Sequence, residues 1–296
     1  MDPADLERLV EVFSRAGRQA LAEHTAQDWS QFCLEFSDWA AAEHTAAHHL
    51  SPALHGAHAR GDIAGWWFIR KHPCWRLRLH QLRPGTDLDS VLNHLVRAGC
   101  LRRWWANVYE PETAAFGGQE GMDAAHQLFC ADSSAVLALG TGAHSQLGRR
   151  ELSLLLCVQF MRSAGLEWYE QGDVWNHVCR ERPLPGGSAP PGLRDLAEDV
   201  RILLLADTSP HGSMFGPGRA LETSAGWVKA FDQAGRRLGA AAREGILERG
   251  LRRILAYQVI FHWNRLGLSA RAQAAMAWAA RAAVLDIPDQ GGQVQP

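Results

Sequence analysis

The sequence predicts an α+β protein, with a small antiparallel sheet half packed against a larger helical half. Three observations carry this. Alternating apolar runs cluster before residue 110, and long stretches of helical periodicity fill the chain after Gly117-Gly118. The early elements also follow the order strand, helix, two strands, helix, strand, which is the βαββαβ order of ferredoxin-like units.

Asp2-Pro3 places an N-cap before proline, and Leu6, Leu9, Val10 and Phe13 recur at helical spacing, so residues 1–26 read as an added N-terminal helix. In SQFCLEF, Phe32, Leu34 and Phe36 fall on one strand face. The helix that follows, through 37–54, is expected to use Ser37 as its N-cap. GWWFIRK and CWRLRLHQL form two strands joined across His72-Pro73. TDLDSVLNHLVRAG is a helix closed by Gly99, and RRWWANVYE a fourth strand. Beyond Gly118 come GMDAAHQLFCADSSAVLALG, RRELSLLLCVQFMRSAG and three further helical stretches ending near Leu285. Residues 184–192 and 206–218 read as loops, the second as a mobile one, and 286–296 as a loose tail after a single domain over 27–285.

Composition narrows the function class. With 296 residues and a formal net charge of −2, no global basic excess points to nucleic acid. No two of the six cysteines are closer than 22 positions, so there is no zinc-ribbon pair, and we read them as reduced thiols of a cytoplasmic protein. No apolar run reaches the roughly 18 residues of a membrane span. EHTAAHH puts His44 and His48 at i, i+4, but Thr45 stands where a zinc protease carries glutamate.

The residues that could carry chemistry are few. Alternation sends Trp75, Leu77 and Leu79 to one face of their strand, and Arg76, Arg78 and His80 to the other. Two guanidinium forks about 6–7 Å apart suit a carboxylate. A solvated sheet face accounts for the same spacing, and spacing alone favours it. Glu110 and Glu112 alternate onto one face before the Gly117-Gly118 turn, where a carboxylate can orient an arginine or take a proton. His262, Asn264 and Arg265 interrupt an apolar helix, and histidine is the acid/base best matched to neutral pH. LEWYEQGDVWNHV reads as packing around a helix start, with Gly172-Asp173 as its cap.

Four segments in order, WWFIRKHPCWRLRL, YEPETAAFGGQEGMDAAHQLF, RRELSLLLCVQFMRSAGLEWYEQGDVW and FHWNRLGL, resemble the stand-alone form of the lantibiotic dehydratase C-terminal domain, the thiopeptide-type bacteriocin biosynthesis domain. The resemblance implies removal of glutamate from glutamylated serine or threonine of a ribosomal precursor peptide. That leaves dehydroalanine or dehydrobutyrine. It implies a separate, tRNA-dependent glutamylating subunit as partner, and no metal or organic cofactor. It maps the family's catalytic residues onto Arg76, Arg78, Glu112 and His262. One position departs: Ala115 stands where elimination domains carry an arginine, and Arg70 or Arg265 is expected to compensate by binding substrate. Two alternatives share the resemblance: pyridine synthesis, by formal [4+2] joining of two dehydroalanines, and a non-catalytic subunit that presents peptide.

Overall fold

The computed structural model describes residues 29–81, 88–141, 147–186 and 192–286. The expected N-terminal helix and the expected tail lie outside the described residues. Four strands form one antiparallel sheet: β1 (Trp29–Phe36), β2 (Ile63–Lys71), β3 (Cys74–Gln81) and β4 (Leu101–Asn107), in the order β2-β3-β1-β4. Between β1 and β2 run α1 (Ala42–Thr45), a π turn (Ala46–Leu50) and α2 (Ser51–Ala59). Between β3 and β4 runs α3 (Leu88–Arg97). This is the expected βαββαβ unit, with the second half of the chain helical.

Register explains which side chains share a face. Phe68 pairs with Leu77 and Phe32 with Leu77, so this apolar set points together toward α2 and α3. On the other face, Arg78 sits between Gln31 of β1 and Trp67 of β2, and Arg76 between Cys33 and Ile69. The opposite face of the sheet is not open water there. Phe129 of α4 (Gln119–Leu139) packs 4.7 Å from the Trp67 ring, and Trp67, Gln31 and Arg78 are all buried.

Behind the sheet stand α5 (Arg149–Ser163), α6 (Trp168–Glu181), α7 (Leu193–Leu205), α8 (Ala225–Arg243), α9 (Leu251–Leu266) and α10 (Ala270–Leu285). α5 is buried almost all round, which is why its sequence lacks an amphipathic stripe. α8 packs on α4 and α5, and α10 on α6 and α7. One cluster of buried side chains runs from Phe32 to Val284.

Four local expectations need correction. The first helix starts at Ala42, not after Ser37; Asp38 spends its carboxylate on the Ala40 N–H in the preceding turn. β4 ends at Asn107, so Glu110 and Glu112 lie in irregular chain and are exposed. Gly172-Asp173 is not a cap. α6 begins at Trp168, closed by a capping box between Glu167 and Glu170. Gly172 lies inside that helix because α10 needs the space: a Cβ there would meet Val284 and Leu285 at 2.7 and 2.6 Å. The 206–218 segment is anchored rather than mobile. Phe215 and Thr208 are buried, and Arg162 donates to the Ala206 carbonyl at 2.6 Å.

Gly267 ends α9 at φ +78°, and a Cβ there would sit 2.8 Å from Nη1 of Arg70. The position demands glycine twice, for conformation and for space. Gly267→Ala is expected to cost about 1–2 kcal/mol, read as a lower urea midpoint at constant m-value.

Candidate functional site

Two buried guanidiniums define the site. Arg78 is 3% exposed. Its Nε donates to Gln31 Oε1 at 2.8 Å, and Gln31 is held in turn by donating to the Val108 carbonyl at 3.0 Å. The guanidinium carbon lies 4.1 Å from the Trp67 ring centre and 4.3 Å from that of Tyr109. Nη1 is buried and bonds to no protein group. Burial lowers this guanidinium to about 10, with Tyr109 and Glu112 opposing and Arg76 and Arg265 adding to the drop. It stays charged at neutral pH.

Arg265 is fully buried. Its Nε donates to Asp132 Oδ2 at 2.6 Å, its carbon lies 4.2 Å from the Phe129 ring centre, and both Nη1 and Nη2 lack protein partners. Buried N–H groups, charged ones above all, are rarely left unmatched. Three such nitrogens on two buried cations leave positive charge that no protein hydrogen bond answers.

Asp132 aims Arg265. It accepts from Trp227 Nε1 at 2.9 Å and from His262 Nδ1 at 2.9 Å, besides Arg265. On the other side His262 Nε2 lies 2.9 Å from Ser153 Oγ, which also takes the Trp263 Nε1–H at 2.9 Å. The hydrogen bonds close as a directed chain: indole to Ser153, Ser153 hydroxyl to His262 Nε2, His262 Nδ1–H to Asp132. Burial pushes the Asp132 carboxyl up, but His262 and Arg265 outweigh it and hold the carboxyl below its usual range.

The predicted residues therefore divide. Arg76 and Arg78 share a face as expected. Arg76 is half-buried and makes no hydrogen bond or ion pair among the described residues, whereas Arg78 is sealed inside. Glu112 is exposed and acts on Arg78 through its charge. His262 is fully buried, with both ring nitrogens committed and the rings of Trp227 and Phe231 against it. It is enclosed to the same degree as Arg265, and its Nδ1 bonds to Asp132. Arg70 lies over Trp75, on the face away from Arg78, donating to the Arg265 carbonyl at 2.7 Å and to Glu43 Oε2 at 2.7 Å. Glu43 also pairs with Arg149. Arg70 thus fastens β2 to α1 and α9 through its Nε and Nη2.

At Ala115 the nearest guanidinium is Arg249, whose Nη1 donates to the Ala115 carbonyl at 3.4 Å. Arg249 lines a different cavity, with His177, Arg252 and Arg253. Sequence reading missed Asp132, Gln31 and Tyr109. Asp132 had a signal: it lies on the stripe of Leu128, Phe129, Val136 and Leu137, the buried side of α4, where an acid demands a partner.

Tyr109 joins this site to a histidine. Its hydroxyl lies 2.8 Å from His126 Nε2. Burial, with the Arg78 and His80 charges, lowers His126 to about 4 from 6.5. Between those pH values the unfolded chain holds a proton that the fold excludes, so stability falls as pH drops from 6.5 towards 4. The loss is expected to be roughly 3 kcal/mol at most. Urea unfolding at several pH values should show a slope in this window that His126→Asn flattens.

Residues 29–284 match the family described as lantibiotic biosynthesis dehydratase, C-terminal. The chain belongs to this family. No curated protein matches it. Among solved structures it is similar to the tRNA-dependent lantibiotic dehydratase MibB from Microbispora sp. 107891 (19% identity, TM-score 0.61), covering 88% of this chain and 28% of that one. It thus spans about a quarter of MibB. It is also similar to TbtD, a pyridine synthase from thiomuracin biosynthesis (16%, TM-score 0.59), covering 88% of this chain and 98% of that one. A third similar structure is TsrL (14%, TM-score 0.56), covering 86% and 95%. At these identities the structures establish a shared fold. Among the described residues no helix is long and apolar enough to cross a membrane, and no three metal-binding side chains converge.

Proposed function

We propose that this member of the dehydratase C-terminal family removes glutamate from glutamylated serine or threonine of a precursor peptide. The observation that carries the reading is the pair of buried guanidiniums, Arg78 and Arg265, with three unpartnered nitrogens between them. A departing glutamate is a carboxylate, and cations held by fixed partners in a dry setting stabilise it as its charge develops.

In this reading Arg76, half-buried and free, receives the glutamyl group at the mouth, and Arg78 and Arg265 take the developing anion. Arg265 supplies the cation absent at Ala115. Glu112, exposed beside Arg78, takes the Cα proton; that electron pair becomes the Cα–Cβ double bond, and the Cβ–O bond breaks to release glutamate. His262 and Asp132 hold Arg265 in line. A separate glutamylating subunit supplies the ester, in the cytoplasm, in keeping with the free thiols.

The test is a synthetic precursor already glutamylated on serine. Loss of glutamate by mass supports elimination, and an unchanged mass with folded protein sinks it. Full-length similarity to TbtD, together with Ala115, favours a second reading, pyridine synthesis. A pre-dehydrated peptide that cyclises would establish that instead. If the chain only presents peptide, Arg76→Ala and Arg78→Ala leave dehydration by the complete system intact.

A further inference from the structure

A cavity of about 640 Å³ lies apart from the buried guanidiniums. It opens beside the start of β2, walled by Trp29, Trp66, His55, His58, His126 and Cys130. Its size falls within the range of sites that enclose small ligands.

Four histidines around one cavity suggest a metal, but several of their ring nitrogens are otherwise engaged. His55 uses Nδ1 on the Ser51 carbonyl at 2.8 Å and Nε2 on Ser134 Oγ at 2.9 Å. His126 gives Nε2 to the Tyr109 hydroxyl. No group of three ligating side chains converges among the described residues.

The cavity is also poorly suited to an ion. Its two formal charges are of opposite sign and lie close enough to act on each other: Asp123, which accepts from the Gln119 amide at 2.8 Å, and Arg237, which also makes a two-pronged pair with Glu120 at 2.6 and 3.0 Å. His126 is neutral at pH 7, and burial raises the Cys130 thiol to about 12. What remains is a wall of rings. Trp29 lies 4.5 Å from His126 and stacks on His80 at 5.2 Å, and His55 meets Trp66 edge-on at 5.4 Å. Two polar edges face this wall. His58 spends Nδ1–H on the Ile63 carbonyl, leaving Nε2 to accept; His126 shares Nε2 with the Tyr109 hydroxyl, leaving Nδ1 as its second polar edge.

One layer of rings divides the cavity from the candidate site. Tyr109 touches His126 on one side and carries the Arg78 guanidinium on the other. An extended peptide advances about 3.3 Å per residue, so a neighbour of the reacting residue spans that layer.

We propose that this cavity binds an uncharged aromatic side chain of the substrate peptide, one or two residues from the reacting serine or threonine. The proposal rests on the elimination reading for its placement. Stacking and edge-to-face contacts hold the ring, and a polar edge such as a phenol or indole N–H meets His58 or His126.

The test uses unmodified synthetic peptides with one serine and with Ala, Phe, Tyr or Trp at each of the two positions on either side of it. Affinities are read by calorimetry on the full chain. At one position an aromatic residue should bind on the order of tenfold tighter than alanine. Ala131→Trp, which fills the cavity from α4, should erase that preference and leave the alanine peptide's affinity unchanged. Trp29→Ala, made separately, should weaken the preference without filling the space. Equal affinities across the series overturn the proposal, as does a preference that survives Ala131→Trp in a folded protein. Binding is read without chemistry, so a failure of elimination appears separately, as glutamylated peptides that keep their glutamate while the preference persists.

Discussion

Arg78→Lys slows glutamate loss from a glutamylated peptide by roughly 10²–10³-fold and leaves the protein folded. Lysine keeps the charge but not the plane. Arg78 is held by two features that lysine cannot reproduce together, the Nε bond to Gln31 and the contact of its guanidinium with both the Trp67 and the Tyr109 ring, while its buried Nη1 keeps no protein partner. A lysine ammonium in this setting is desolvated without a fork to offer. Single-turnover mass spectrometry separates the chemical step from peptide binding. Arg76→Lys is the comparison: Arg76 is half-buried and unpaired, so its loss should weaken peptide binding more than the chemical step. An Arg78→Lys protein that eliminates at the wild-type rate removes Arg78 from the mechanism.

The arginine pair shows how far the sequence could be read. Alternation placed Arg76 and Arg78 on one face, and register bears this out through Cys33 and Gln31. Alternation could not tell a solvated face from a covered one. That depends on α4, about 50 positions downstream, bringing Phe129 onto Trp67. The same limit applies at His262. Its sequence setting, a polar group in an apolar helix, pointed correctly to something buried. The partners, Asp132 and Ser153, come from two other helices, and no local pattern pairs them. The surroundings of Arg70 show the same limit. Strand parity puts Arg70 with Phe68 and Trp75, away from Arg78, and Gly267 at the end of α9 opens the space its guanidinium fills. Element order was legible because the βαββαβ pattern is made by short-range periodicity. The helix starts at Ala42 and Trp168 were not, because each was decided by one local competition for backbone N–H groups.

Asp132→Ala is expected to cost about 3–5 kcal/mol, the largest stability loss of any change considered for this fold. The carboxylate is fully buried, and its removal strands an arginine, a histidine and an indole at once. Because the folded carboxyl lies below its usual value, the stability it confers is present at neutral pH and lost as pH falls through the acid range. A structural role and a functional one both predict this loss, so the deciding variant is Asp132→Leu with Arg265→Met. Replacing both partners by apolar groups of similar size removes the unmatched cation but still leaves the His262 and Trp227 N–H groups without their acceptor, so stability should recover in part, by about 1–3 kcal/mol over Asp132→Ala. If Arg265 serves only the fold, glutamate loss returns with it. If its free nitrogens hold the departing carboxylate, the double variant is folded, binds peptide and still releases glutamate roughly 10²–10³-fold more slowly. His262→Gln completes the comparison. A histidine that moves protons on the substrate would take a limb of the pH–rate profile with it. A histidine that orients Asp132 lowers the rate at every pH and leaves the shape of the profile as it was.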